Sequence, residues 1–270
     1  MGLEQIWIQD FIKALKSNGV IGELKNLTVP TLIIKDKILI RLISIFNLPN
    51  FKDLELEKES FLNKNFLVIN LWQDVWINKP EQVLYRIKYF VDLNKRIHTR
   101  KCTVMEVGKT EAKLFLDKYH LQGYVKSKHA YGLFFENQLL LIACFNNLIM
   151  KSKGENYLSA ELIRFCTLPE VNIPGGLSKV INFYKERTPF NDLMTYADRD
   201  WSNGHSFQKL GFNLVDKTDP VQFYINKDSF ERLTENQYHL KINKSLGCAE
   251  DYIQIQNTGN LKYILNGIKY

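Results

Sequence analysis

The sequence predicts an α/β protein in which a mixed sheet is flanked by helices. Three observations carry that expectation. Apolar strand-like runs alternate with amphipathic helical patterns along most of the 270 residues. A glycine-bearing loop, "NIPGGLSK" at residues 172–179, joins one such strand to a helix. A basic stretch, "NKRIHTRK" at 94–101, divides the chain into a small N-terminal α/β region and a larger second one. Hydrophobic residues make up 45% and aromatics 13%, enough for sizeable cores and too much for a disordered chain.

The elements follow in order. Residues 3–18 carry Ile6, Trp7, Phe11, Ile12 and Leu15 on one helical face. "TLIIKDKILIRLISIF" (31–46) reads as two short strands turning at Lys35-Asp36-Lys37. A helix at 54–65, a buried strand at 66–76 and a helix at 79–93 with Pro80 in its first turn complete a first domain, residues 1–95. The second domain, 102–226, starts with a strand at 102–107 and a helix at 109–119 capped by Thr110 or the residues before it. A polar turn, "HLQGYVKSKH" (120–129), leads into a hairpin that reverses at Asn137-Gln138. Strands at 158–168 and 192–198 bracket the glycine loop and its helix. A short helix at 203–211 ends at Gly211, and 221–226 is read as a last core strand. Residues 227–270 form a polar tail closing in a terminal hairpin, "YIQIQNTGNLKYIL".

The net charge of +7 favours a polyanionic partner. The four cysteines are far apart, with no zinc-type spacing, and read as buried free thiols of a reducing compartment. The N-terminus is amphipathic rather than signal-like, and no apolar run approaches the ~20 residues of a membrane span, so a cytoplasmic protein with no membrane partner is expected.

Two stretches concentrate chemistry. The loop Pro174-Gly175-Gly176-Leu177-Ser178-Lys179 follows a strand and opens a helix, a geometry that aims backbone N–H groups at an anion. "MTYADRDWSNGHSFQKLGF" (194–212) places Asp198, Asp200, Trp201, Ser202 and Asn203 at a strand-to-helix junction, where ligands sit in open α/β sheets. Asp198 or Asp200 would accept a proton from an amine or hold Arg164; Ser202 and Asn203 line a site or cap the short helix; Trp201 stacks on a base or fills core. His120 is a base, a substrate contact or a turn cap, and Lys126 and Lys128 are candidate nucleic-acid contacts.

The order of elements, with "NIPGGLSK" and the helix end Lys209-Leu210-Gly211-Phe212, resembles the GNAT acyltransferase fold over residues 102 to about 226. That resemblance implies a coenzyme A pyrophosphate in the glycine loop, acetyl-CoA or a related acyl-CoA as donor, and a fifth strand splaying from the fourth. The loop departs from the family's Arg/Gln-x-x-Gly-x-Gly/Ala spacing, and Phe207 stands where many members carry a tyrosine acid. "FLDKYHLQGY", "ELIRFCT", "GGLSK" and "YADRDWSNGHSFQKLGF" together look like a Mom-like GNAT domain of bacteriophage proteins, which often follows a nuclease related to very-short-patch repair enzymes. This implies a transferase modifying an exocyclic amine of a DNA base. The alternatives are a non-catalytic DNA-binding module and a small-molecule or protein N-acyltransferase. In the first domain Arg41 stands where such a nuclease needs an acid, which reads as a degenerate nuclease-like domain; Asp36 and Asp74 are what remains for a cation, and no metal is expected.

Overall fold

The computed structural model describes residues 3–152, 154–244 and 246–266. In chain order the first elements are α1 (Leu3–Ser17), β1 (Glu23–Asn26), β2 (Pro30–Ile34), β3 (Ile38–Ile43), α2 (Phe51–Leu62), β4 (Leu67–Trp72), α3 (Gln73–Asn78), α4 (Pro80–Phe90) and β5 (Lys95–Arg96). Then come β6 (Thr103–Glu106), α5 (Lys109–Tyr119), β7 (His129–Phe135), β8 (Gln138–Phe145), β9 (Ile149–Met150), β10 (Leu158–Thr167), β11 (Val171–Asn172) and α6 (Gly176–Arg187). The rest are β12 (Asp192–Asp198), α7 (His205–Lys209), β13 (Asn213–Lys217), β14 (Gln222–Asn226), β15 (Arg232–Thr234), α8 (Glu235–Asn243), β16 (Tyr252–Gln256) and β17 (Asn260–Asn266).

The chain forms two units, both discontinuous in sequence. The first comprises Met1–Leu84, Ala197–Gly204 and Lys217–Asn260; the second comprises Tyr85–Tyr196, His205–Asp216 and Leu261–Tyr270. The sequence division into 1–95, 102–226 and 227–270 uses contiguous cuts, whereas both compact units are discontinuous. Contiguous cuts miss the return of the chain, because what assigns a segment to a unit is the core it joins.

The first unit holds the sheet β1-β2-β3-β4, antiparallel except for the parallel pair β3/β4. Lys35 and Asp36 take left-handed φ of 52° and 48°, which makes the β2–β3 turn match the strand twist. A second sheet, β15-β14-β16, belongs to the same unit. Ile225 and Ile255 of that sheet pack in one cluster with Ile43, Leu54 and Trp72. That shared core is why 221–226 is not the last core strand of the other domain.

The second unit carries the sheet order β13-β17-β12-β10-β8-β7-β6, with β9 on β10. Its first strands are antiparallel, and β10/β12 is parallel. Alternate residues face opposite sides of a sheet. Ala130, Ile142 and Cys144 pack with Phe115 and Leu116 of α5. Their neighbours Tyr131 and Phe145 meet Tyr184 of α6, the Phe145 and Tyr184 rings stacking at 4.0 Å. The expected mixed sheet flanked by helices is thus what the chain forms.

Smaller corrections concern boundaries. The β7–β8 turn is at Glu136-Asn137, whose φ values are 49° and 63°. Of Thr110 and the residues before it, Gly108 is the N-cap of α5. The terminal hairpin does not form: β16 pairs with β14, while β17 lies between β12 and β13. β13 has every residue exposed, so no apolar alternation marks it in the sequence.

Candidate functional site

The glycine loop follows β10, the fourth long strand of the second sheet, through the short β11. Gly175 is the N-cap of α6 with φ 76°, a left-handed conformation natural to glycine, and no side chain caps the helix start. Gly176 is there for packing: a Cβ would lie 3.0 Å from Leu141 Cδ1 and 3.3 Å from Ile173 Cγ2. Pro174 and Gly175 are exposed, Gly176 and Leu177 buried, and Ser178 and Lys179 intermediate. Lys179, expected to add charge for a phosphate, instead donates from Nζ to the carbonyls of Cys102 (2.6 Å) and Thr99 (3.2 Å). The Thr99 hydroxyl in turn donates to the Pro174 carbonyl. Sequence reasoning missed this partner. The 94–101 stretch is not a free linker but is laid against the loop, with β5 paired to β11 as Val171↔Lys95 and Asn172↔Arg96.

At the same end of the sheet β10 and β12 part. Their parallel register runs only from Ser159↔Asp192 to Leu162↔Thr195, although β10 continues to Thr167 and β12 to Asp198. A bulge at Ile163 shifts the register of β10 on β8, and bulges bend a strand and tighten its twist.

Arg164 follows that bulge. Its Nε donates to Gly123 O (3.1 Å) and its Nη1 to Ile163 O (2.9 Å). Carbonyl oxygens, not the expected carboxylates of Asp198 or Asp200, receive the guanidinium, and the nearby Glu161 accepts from Asn146 Nδ2 at 3.0 Å. Burial lowers the Arg164 pKa, and its charge in turn works against the burial that pushes the Cys144 thiol up to about 11. The Gly123 contact brings Arg164 to the turn that His120 opens. His120 Nδ1 accepts the Gln122 N–H at 3.1 Å, and its backbone closes the last turn of α5. By accepting at Nδ1, His120 caps this turn. Lys126 and Lys128 are exposed. Lys128 lines a cavity of about 250 Å³ with Glu106, Lys109, Tyr124 and Ser127.

The junction after β12 belongs to the first unit. Asp198 Oδ1 accepts the Asp200 N–H at 2.9 Å, and the Trp201 N–H returns to Asp198 O, closing a turn. The Asp200 carboxylate is 3% exposed and accepts from Asn70 Nδ2 (2.8 Å), Trp72 Nε1 (3.1 Å), Thr258 Oγ1 (2.7 Å) and Thr258 N (3.3 Å). Arg199 pairs with Glu55 at 2.5 Å and also donates to Thr258 O. Lys58 Nζ donates to Arg199 O at 2.6 Å; burial lowers its pKa to about 8 against the opposing pull of Asp200 and Glu55. Ser202 Oγ accepts the Gly204 N–H, and Asn203 is half-buried. Trp201 is buried, which removes it as a stacking platform. Asp200 and Arg199 of "ADRDWSNG" thus fasten this segment into the core of the first unit. Lys58, Asn70 and Thr258 complete that clasp, and no local signal pairs them with Asp200.

In the same unit Arg41 is fully buried, donating to Asn70 Oδ1 (2.8 Å) and Leu54 O (2.5 Å), 3.8 Å from Glu57. Asp74 is held by Arg232 through two contacts of 2.8 Å. Asp36 sits exposed in the β2–β3 turn. No group of three or more acidic, His or Cys side chains suited to a metal is found among the described residues.

No protein-family model matches the chain, and no curated protein matches it. Among solved structures the chain is similar to a GNAT family acetyltransferase from Elizabethkingia anophelis with acetyl-CoA bound, at 13% identity and a TM-score of 0.38, covering 62% of this chain and 99% of that one. It is similar to the ribosomal-protein-S18-alanine N-acetyltransferase from Escherichia coli at 11% identity and 0.37, covering 63% and 98%. It is also similar to the IAA acetyltransferase from Bacillus cereus at 12% identity and 0.36, covering 62% and 99%.

Proposed function

We propose that the second unit transfers an acyl group from an acyl-CoA, acetyl-CoA in the simplest case, to an amine. The observation that carries this reading is a conjunction at one sheet edge. A helix start without a side-chain cap follows β10, and β10 and β12 leave each other's register at that same edge. A helix start of this kind takes a pyrophosphate. Two strand edges leaving their ladder suit an extended arm that carries amides, which is what pantetheine is. In the transfer step the amine nitrogen attacks the thioester carbonyl, the C–S bond breaks, and the amine proton passes to the thiolate. Catalysis is mainly positioning. Arg164 acts as a positioning residue by fixing the 120–123 turn against the bulged strand. Asp198, Ser202 and Asn203 stand at and just beyond the C-terminal end of β12. Asp200 is assigned to the clasp rather than to chemistry.

For the acceptor we propose an exocyclic amine of a DNA base. The support is the resemblance of the motif set to Mom-like domains, the net charge of +7, and exposed Lys126 and Lys128 beside the Arg164 turn. A base within a duplex has to be flipped out first. For the first unit we infer a binding or packing role without strand cleavage, since Arg41 and Asp74 are committed to internal partners.

The test is transfer of label from radioactive acetyl-CoA with the full chain and, in parallel, single-stranded DNA, duplex DNA, a peptide amine and a polyamine. Label on DNA supports the whole reading. Label on the peptide or polyamine alone removes the acceptor and keeps the transferase. No label on any acceptor, with no calorimetric binding of acetyl-CoA, removes both.

A further inference from the structure

The stretch 94–101 concentrates four basic side chains within eight residues of the second unit. Lys95, Arg96, Arg100 and Lys101 are all exposed, and the stretch contains no acid. None of the four has an ion-pair partner among the described residues; nearby Glu170 is taken by Lys88 at 2.5 Å. Four cations that repel one another without local compensation are costly to hold together unless a ligand offsets them. They are nevertheless held in place. Their backbone is tied down by the β5–β11 pairing, by the Thr99 hydroxyl on Pro174 O, and by Lys179 Nζ on the Thr99 and Cys102 carbonyls. One buried-side lysine thus anchors an exposed basic strip beside the glycine loop. An untethered tail would do neither.

We propose that this strip is a subsite for the nucleotide end of the donor, and in particular for the 3′-phosphate of coenzyme A. The inference rests on the reading of the glycine loop as the pyrophosphate site. Arg96 and Arg100 offer the planar fork that suits a phosphate dianion, and Lys95 and Lys101 add point charge. The position argues against the other polyanion, an acceptor nucleic acid. The reacting thioester lies at the opposite end of the donor from its phosphates, so an acceptor has to approach far from a strip that adjoins the pyrophosphate loop. The consequence is selectivity: the protein distinguishes coenzyme A from its 3′-dephospho form by charge alone.

The experiment is calorimetric titration of the full chain with coenzyme A and with 3′-dephospho-coenzyme A at two salt concentrations. The wild type should bind coenzyme A about tenfold more tightly, with a preference that shrinks as salt rises. In an Arg96→Gln, Arg100→Gln, Lys101→Gln variant of unchanged melting temperature the preference should fall to about twofold or less, and the Arg96→Lys, Arg100→Lys variant should keep most of it. Equal binding of the two ligands by the wild type, or a preference undiminished in the triple variant, overturns the subsite and leaves the loop reading standing. Failure of both ligands to bind overturns the loop reading and the subsite with it. Loss of DNA retention in the triple variant, with the ligand preference intact, assigns the strip to nucleic acid and also overturns the subsite.

Discussion

Asp200→Asn should destabilise the first unit by about 3 kcal/mol. In the folded chain Oδ1 accepts three hydrogen bonds, from Asn70 Nδ2, Thr258 N and Thr258 Oγ1, and Oδ2 accepts the Trp72 indole N–H. An amide keeps the shape and at most one of these oxygens. If the NH2 takes the Oδ2 position, it meets the indole donor head-on. The alternative orientation sets it against three donors. The lost charge also removes one of the carboxylates that oppose the burial lowering the Lys58 and Arg41 pKa values, leaving Glu55 and, for Arg41, Glu57. One broken charge-assisted bond, one donor–donor conflict and the weaker compensation of the two cations together give the figure. All four tryptophans, Trp7, Trp72, Trp76 and Trp201, lie in this unit, so the urea transition of intrinsic fluorescence reports on it directly. Removing the nearest cation should relieve part of the penalty: in a Lys58→Met background Asp200→Asn should cost about 1 kcal/mol less. The reasoning is refuted if Asp200→Asn unfolds within about 0.5 kcal/mol of wild type while acyl transfer is lost, since that pattern belongs to a group engaged in chemistry.

Further outcomes follow from single features. Lys58 has its pKa lowered from 10.5 to about 8, so the folded state gives up this proton before the unfolded one does. The penalty is complete below pH 8 and fades towards pH 10.5, so wild type should gain about 3 kcal/mol relative to Lys58→Met across that range in urea melts; a constant difference would show that the ammonium is not desolvated. Gly175→Ala places a Cβ at a left-handed position with only Thr99 Oγ1 at 3.7 Å, so it should cost about 1 kcal/mol of stability and weaken acetyl-CoA binding in calorimetry. Gly176→Ala meets Leu141 at 3.0 Å, so it should lose more stability than Gly175→Ala does, and a melting temperature equal to that of Gly175→Ala would contradict this. The Tyr263 hydroxyl is buried with no hydrogen-bond partner among the described residues, so Tyr263→Phe should leave the melting temperature unchanged or raise it; a fall equivalent to more than about 1 kcal/mol would show that the hydroxyl is satisfied.

The sequence by itself determined the local elements and the class of fold. Apolar runs marked β2, β3, β10 and β12, and one apolar helical face marked α1, because burial is written in neighbouring residues. It also marked the glycine loop, since a left-handed Gly175 before a helix is a local backbone requirement. Tertiary structure decided the rest. Asp200 looked like a site residue because a polar group at a strand end has two uses, and the sequence does not show which. The partners that decided it lie far away: Asn70 is 130 positions from Asp200, and Thr258 is 58. Arg164 found carbonyls rather than acids because the 120–123 turn, 41 positions earlier, lies within its reach. The 94–101 stretch read as a linker because its charge is visible locally, while its pairing with β11 and its anchor on Lys179 are not. The same limit hid the division of the chain into units. Periodicity tells which face of an element is buried, whereas only the packed core tells against what, which is how residues 217–260 came to complete a unit begun by residues 1–84.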